Sequence, residues 1–410
     1  MKRRYQGLAR LALSMPAVVL PVAVDGAATL GDALRHGRPI LDVRYRHEHV
    51  EEDAFPRSAD AHTVRTRLGY ETQPYRGFHA LLEIEAVTHL GPARFNDTVE
   101  GPTAFPVVAD PEDVELDQGY LAFAGIPDSV LRFGRQRLVL DNQRFVGAVG
   151  FRQNEQTFDA LAASNRSLPD TTLQYVYVFE VQRIFGDDSP VGEFGSDSHL
   201  LHAEYEGFRS GRLSAYAYRL DLEADVLSSQ TYGVRFAGGT RLRYNRDVEL
   251  LYALEVAQQS DYAGNPRDFS LGYVLIEPGI RFHEATARLG YEVLGGDGTS
   301  GFQTPLATLH AFNGITDQFL ATPPDGLADL YLKVLYEWEA PGPLDSLELS
   351  AAYHRFWSED RDDYLGSEWS VKVAAQVATR FHVSLEHAEF EASGFKTDKE
   401  ITWVTLQYRY

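Results

Sequence analysis

The sequence predicts an all-β chain, a transmembrane antiparallel barrel of roughly 18 strands with long extracellular loops and short periplasmic turns. Three observations carry this. Segments of about ten residues alternate apolar and polar along nearly the whole length. The connectors between them alternate short and long. Aromatic residues are abundant, with 22 Tyr and 23 Phe, while cysteine is absent. At 410 residues the chain has room for two or three ordinary domains, but one large β-architecture explains the recurrence better. Without cysteine there is no disulfide framework, thiol catalysis or cysteine-ligated metal.

Lys2, Arg3, Arg4 and Arg10 precede an apolar run from Leu11 to Val24, followed by the small residues Gly26, Ala27 and Ala28. This layout predicts a secretory signal peptide over residues 1–27 and leaves 28–410 as the barrel. Losing four positive charges and Asp25 with the leader takes the formal net charge from −21 to −24. Nucleic acid is therefore not an expected partner. Lysine occurs at only Lys2, Lys333, Lys372, Lys396 and Lys399, so the cations are overwhelmingly arginine. Arginine stays charged in any surroundings and grips planar anions with two parallel hydrogen bonds.

The first strand reads LDVRYRHEHV from Leu41 to Val50. Leu41, Val43 and Tyr45 point one way, and Asp42, Arg44, Arg46 and Glu48 the other. In the next, Val64, Thr66, Leu68 and Tyr70 oppose Arg65 and Arg67. In the third, Phe78, Ala80, Leu82 and Ile84 oppose His79, Glu83 and Glu85. Further strands are expected at Leu116–Ala124, Val130–Leu140, Glu155–Ala163, Leu173–Val181 and His199–Gly207. They continue through LSAYAYRL, TYGVRFA, VELLYALEV, FSLGYVLIE, ATARLGYEV, DLYLKVLYEW, LELSAAYHRF, EWSVKVAAQV and FHVSLEHAEF to ITWVTLQYRY. A soluble sandwich would alternate as well, so the loops decide. Short turns fall at Gln73–Gly77, Gly125–Ser129, Glu206–Gly211, Glu339–Ser346 and Val377–His382. Between them lie the long connectors His89–Asp113, Asp141–Glu155, Gly186–Ser198, Gly295–Leu327 and Ser358–Gly366. That asymmetry belongs to outer-membrane barrels. Tyr336 with Trp338, Tyr353 with Phe356 and Trp357, and Trp403 with Tyr408 are expected to form the aromatic girdles. Val404, Leu406, Tyr408 and Tyr410 share one face of the final strand. Tyr408 and Tyr410 there form the signal expected to engage the barrel assembly machinery.

Two stretches, GRQRLVLDNQRFVGAVGFRQNEQTFDAL and GYEVLGGDGTSGFQTPLATLHAFNGITDQFLATPPDGLADLY, resemble the alginate export family of outer-membrane porins. The resemblance extends over essentially the whole mature chain. It implies export of an anionic polysaccharide, alginate or a related polyuronate, through an arginine-lined lumen in the bacterial outer membrane. The partners it implies are the polymer, outer-membrane lipid and lipopolysaccharide, and a periplasmic export complex.

The residues themselves supply a physical case for anion passage. A pore in a low-dielectric medium repels ions unless fixed charges of opposite sign line it. Alternation puts Arg44, Arg46, Arg65 and Arg67 on the lumenal side. Arg135 and Arg137 are placed there as well, because each would cost about 2–4 kcal/mol at the lipid midplane; a β-bulge must then correct the parity. The connector after Arg137 is expected to fold back into the lumen and bring Asn142, Arg144, Arg152 and Asn154 to the polymer. A second reading leaves the pore neutral, with these arginines paired to Glu83, Glu85 and Asp42 in a rigid ladder.

No cofactor is expected. His47 and His49 share a strand face, but spacing supplies no third metal ligand, so no metal is assigned. LGGDGTSG lacks the lysine of a phosphate loop and reads as a turn. Two other functions stay open, a general anion or carbohydrate porin of the same fold and an outer-membrane barrel hydrolase. The second requires Ser, His and an acid on adjacent strands, and no local motif marks such a set, so the chain is read as a non-enzyme.

Overall fold

A computed structural model describes residues 26–245, 247–339, 342 and 344–410. The leader expected over residues 1–27 lies almost entirely outside the described residues. The strands are β1 (Arg38–Glu52), β2 (Ala59–Glu71), β3 (Phe78–His89), β4 (Asp113–Phe123), β5 (Ser129–Gln136) and β6 (Thr157–Asn165). They continue with β7 (Thr171–Gln182), β8 (Glu193–Tyr205), β9 (Gly211–Leu220), β10 (Ser229–Arg241), β11 (Val248–Asp261) and β12 (Ser270–Phe282). The last are β13 (Ala285–Leu294), β14 (Leu327–Glu339), β15 (Leu344–Trp357), β16 (Tyr364–Val377), β17 (Phe381–Ala392) and β18 (Lys399–Arg409). All belong to one 18-stranded antiparallel sheet in which each strand pairs with its neighbours in sequence. The sheet closes where β1 pairs β18, from Asp42 opposite Arg409 to Glu52 opposite Lys399. Closure leaves no edge strand, which is what a sheet needs in hydrocarbon.

The alternation read in the sequence sorts the wall into two faces. On β2, Ala59, Ala61, Thr63, Arg65 and Arg67 are buried inward, while Leu68 lies 58% exposed beyond them. Leu82, Leu254, Leu385 and Leu406 are likewise exposed outward. Charged side chains within and apolar side chains without invert the distribution of a water-soluble protein and match a wall bathed in lipid. No described helix is long and apolar enough to cross a membrane.

Three expectations need correction. Trp403 and Phe356 are buried, at 2% and 0% exposure, and point into the lumen, so they are not girdle residues. Their places on β18 and β15 share parity with Thr405 and His354, which also face inward; Tyr336, Trp338, Tyr353 and Tyr408 do lie on the outer face. The strand expected from Val130 to Leu140 stops at Gln136. Beyond it the chain leaves the wall, and the β4–β5 ladder ends at Gly119 opposite Arg135 although β4 runs on to Asp113. Gly134 (φ +121) sits where this parting begins, and a Cβ there would lie 2.3 Å from the Gly119 carbonyl. A short helix, α1 (Leu30–Arg35), was not expected; the Thr29 hydroxyl caps it by accepting from Asp32 N–H. It docks at the short-turn end, where Gln73 N–H donates to the Ala33 carbonyl.

A loop-filled lumen as the candidate functional site

The three connectors at residues 90–112, 137–156 and 295–326 fold back between the walls. Val146 bridges Leu306 in parallel, and Gly147 N–H donates to the Leu306 carbonyl at 2.8 Å. The Gln156 amide donates to both Gly147 and Leu306 carbonyls. Phe145 packs against the wall tyrosines Tyr216 and Tyr273, with ring centroids 5.0 and 5.5 Å away, and against Phe302 of the other loop at 6.1 Å. Leu138, Leu140, Val146, Phe302, Leu306 and Phe319 join lumenal wall residues in one apolar cluster. The barrel interior at this height is thus a second hydrophobic core, built from loops whose sequence looked polar.

Polar contacts anchor these loops. Arg144 is 2% exposed; it donates from Nε to Glu292 at 2.7 Å, from Nη1 to Thr304 at 3.2 Å and from Nη2 to Asn313 at 3.1 Å. Arg152 bridges Glu48 on β1, at 3.2 Å, and Asp317 in the second loop, at 3.0 Å. Asn154 is fully buried and donates to the Pro111 carbonyl. Asn142 lines a cavity of about 80 Å³ beside Arg235, Glu277, Glu292 and Lys333. Asp141, at the loop's start, accepts from Ser214 Oγ at 2.6 Å and contacts His202 Nε2 at 2.8 Å. Here the serine bonds the acid and not the imidazole, so these three residues do not form the serine-histidine-acid relay of a hydrolase.

Three loop carboxyls, Asp141, Glu155 and Asp317, titrate low. Burial pushes Asp317 up, but His310 and Arg152 outweigh it and hold the carboxyl below the usual carboxylate range. Burial likewise opposes, and His202 with Ser214 overcomes, in lowering Asp141. Burial raises Glu155, yet the Arg137 and Arg67 guanidiniums bring it down to about 2.

The wall arginines fall into distinct classes. Arg65 pairs with Asp42 at 2.8 Å. Arg67 meets Glu85, with Asp117 at 3.3 Å and Glu155 at 3.1 Å. Arg137 faces inward and pairs with Glu155, with Asp117 3.5 Å away. These are members of the ion-paired ladder that the alternative reading anticipated. Arg44 and Arg46 differ. Arg44 is 5% exposed and donates to Gln153 Oε1 and to the Gly150 and Arg152 carbonyls; Arg46 donates to the Phe151 carbonyl and lies 4.1 Å over that ring. Among the described residues neither has a carboxylate partner within ion-pair distance. Arg135 is not lumenal. It shares the outward face with Phe133 and Leu131 and avoids the cost of a bare charge by a two-pronged pair with Asp159, both contacts at 3.0 Å. Since β5 ends one residue later, no bulge intervenes to turn it inward.

A second ladder went unnoticed in the sequence. On β9, β12 and β14, Tyr216, Tyr273 and Tyr331 donate to Glu255, Glu292 and Glu277 at 2.8, 2.8 and 2.6 Å. Arg235 and Arg288 pair with Glu255 and Glu277, each at 2.7 Å. Inward parity on these strands was the available signal.

Residues 41–382 match the family described as Alginate export. The chain belongs to the alginate export family. It is a bacterial outer-membrane protein with the barrel of a porin. Solved barrels share the fold at low sequence identity. One is OccK9 (OpdG) of Pseudomonas aeruginosa, with a TM-score of 0.73, 13% identity, and coverage of 92% of this chain and 100% of that one. Another is OccAB4 of Acinetobacter baumannii, with a TM-score of 0.72, 12% identity, and coverage of 91% and 97%. OpdK of Pseudomonas aeruginosa, solved with vanillate, has a TM-score of 0.69 at 18% identity and coverage of 91% and 98%. No curated protein matches the sequence. Both long stretches that fold into the lumen lie within the residues matched to the alginate export family.

Proposed function

We propose that this barrel passes an anionic polysaccharide of the polyuronate class across the outer membrane, outward as the family's name implies. The observation that carries the reading is the pair Arg44 and Arg46, two lumenal guanidiniums held by carbonyls and an amide rather than by carboxylates. Buried under the 137–156 loop at 5% and 4% exposure, they do not touch the polymer, but without a carboxylate in ion-pair range they add a positive field at this height of the lumen, whereas a paired arginine does not. Lys333 adds a third cation at the cavity edge, 4.7 Å over the Tyr331 ring and without a carboxylate in ion-pair range among the described residues. Of the candidate pore residues, Arg65, Arg67, Arg137, Arg144 and Arg152 then hold loops and wall in register, and Arg135 stays outside the path. The role is transport, with no catalytic step. Tyr408 and Tyr410, outward on the last strand, present the chain to the barrel assembly machinery. Lipopolysaccharide surrounds the apolar belt, and a periplasmic export complex delivers the polymer to the short-turn end.

Reversal potentials across a planar bilayer under a KCl gradient test this. Anion preference should be present in the parent and reduced in Arg44→Gln/Arg46→Gln, and uronate oligomers should block the current. Cation preference in the parent, or indifference to the oligomers, rejects the proposal. A second reading, a channel for small organic anions, is favoured by the packed loops, which leave a cavity of only about 80 Å³ beside Lys333, and OpdK, whose barrel is similar, was solved with vanillate. Liposome swelling that admits small monocarboxylates, with no block by uronate oligomers, would select it.

A further inference from the structure

The long-connector end of β4 carries carboxylates that no arginine answers. The β4–β5 ladder stops at Gly119, so residues 113–118 run on with no partner strand on that side. The connector between β7 and β8 reaches over this gap, and Asp187 N–H donates to Asp113 Oδ2 at 2.7 Å. Gly186 (φ +75) permits the close approach, since a Cβ there would lie 2.4 Å from that oxygen. Asp113 and Glu115, two positions apart, share one face of β4. Spacing on the strand shows only these two acids; the connector brings Asp187 to them, and one carboxylate oxygen from each of the three lies within 4.8 Å of the others.

Like charges so close repel one another, and deeper in this lumen such acids meet arginine, as Glu85 and Asp117 meet Arg67. Here none does. Among the described residues, neither Asp113, Glu115 nor Asp187 has a Lys, Arg or His within ion-pair distance. Arg135 reaches the Leu116 carbonyl at 3.2 Å, yet its two-pronged contact goes to Asp159. Glu115 is the telling member. It is 8% exposed, and among the described residues its side chain makes no hydrogen bond, although a buried carboxylate without a partner bears a full desolvation cost. Its carboxyl is aimed at the two aspartates. Asp187 lies exposed and leaves the cluster open to solvent on its side.

We propose that Asp113, Glu115 and Asp187 form a site for a hard divalent cation of the calcium class. Calcium binds oxygen ligands at about 2.3–2.6 Å, so atoms on opposite sides of the ion stand about 4.6–5.2 Å apart and neighbouring ones closer. The three carboxylate oxygens fall inside that span with no strand displaced. An oxygen-only set disfavours zinc, copper and nickel, which prefer imidazole or thiolate. Magnesium, with bonds of about 2.0–2.1 Å, asks for a tighter cage. Water completes the shell on the Asp187 side. The ion supplies the positive charge that Glu115 lacks and ties the β7–β8 connector to β4 across the gap above β5. The wall is thereby latched where its ladder is interrupted.

Barrel folded in detergent without lipopolysaccharide, stripped with EDTA and titrated calorimetrically with Ca²⁺ at physiological ionic strength, tests the site. The expected result is one bound equivalent. Glu115→Gln and Asp187→Asn should each lower the affinity roughly tenfold or more, while Asp188→Asn, the exposed neighbour in the same connector, keeps the parent value. Ca²⁺ should also slow proteolytic cleavage within residues 183–192 in the parent and not in Glu115→Gln. Absence of a stoichiometric equivalent in the parent overturns the proposal, as does affinity unchanged in both Glu115→Gln and Asp187→Asn. Equal loss in Asp188→Asn marks a diffuse acidic rim and overturns it too. Heat-modifiable gel mobility confirms that each variant is folded, and Asp187→Asn, on the exposed connector, decides the matter if Glu115→Gln does not fold.

Discussion

Two arginines at similar sequence positions meet opposite energetics. Arg144 is inside, and its removal leaves Glu292 buried with only Tyr273 and Asn313 as donors. Breaking such a pair costs about 3–5 kcal/mol. Arg144→Ala should therefore undock the loop and raise single-channel conductance, as measured in bilayers, while Arg135→Ala leaves conductance at the parent value. Proton titration is a separate lever on the same anchors. Asp141, Glu155 and Asp317 all titrate lower in the folded protein than in an unfolded chain, where such groups titrate near 4. Their stabilisation is complete above that value and is lost only as pH falls through the folded value, about 2 for Glu155. Conductance recorded from pH 7 down to about 4 should be flat, with loop release only in stronger acid. None of this pairing could be read from the sequence. Arg152 and its partners Glu48 and Asp317 stand 104 and 165 positions apart, and no local spacing reports on that.

At the scale of elements, strands with one charged and one apolar face were legible because period-two alternation is local. β1, β2 and β3 carry their inward residues where parity placed them. The failures share a cause. β5 ends at Gln136 because the next residues gain more by packing inside, where Leu138 and Leu140 are 5% and 7% exposed; as apolar residues continuing a strand they look the same in sequence. The two infolded loops act as one unit, joined by the Val146–Leu306 bridge and by Phe145 against Phe302. Phe145→Ala should cost about 3 kcal/mol of loop docking. Limited proteolysis is the check: cuts should appear in both 137–156 and 295–326 together, whereas independent loops would yield cuts in the first alone.

For the whole molecule, the number of strands and the alternation of short and long connectors were readable, and the electrostatic sign of the lumen was not. Arg65, Arg67 and Arg137 share their surroundings with Asp42, Glu83, Glu85, Asp117 and Glu155, so arginine content alone does not set selectivity. Arg65→Gln/Arg67→Gln should uncover these carboxylates and move the reversal potential toward cations, the opposite sense from a mere loss of anion preference. The interlocked loops also bear on the order of events during biogenesis. Arg144 reaches Thr304 across 160 residues, while the seam joins Gln407 to Asp42 across 365. Both contacts are long-range in the folded barrel, and the loops occupy the interior that the β1–β18 seam encloses. A barrel that closed empty would have to draw polar backbone into a finished, water-filled tube. Were the interior filled before the seam closed, that passage through the mouth of the tube would be avoided.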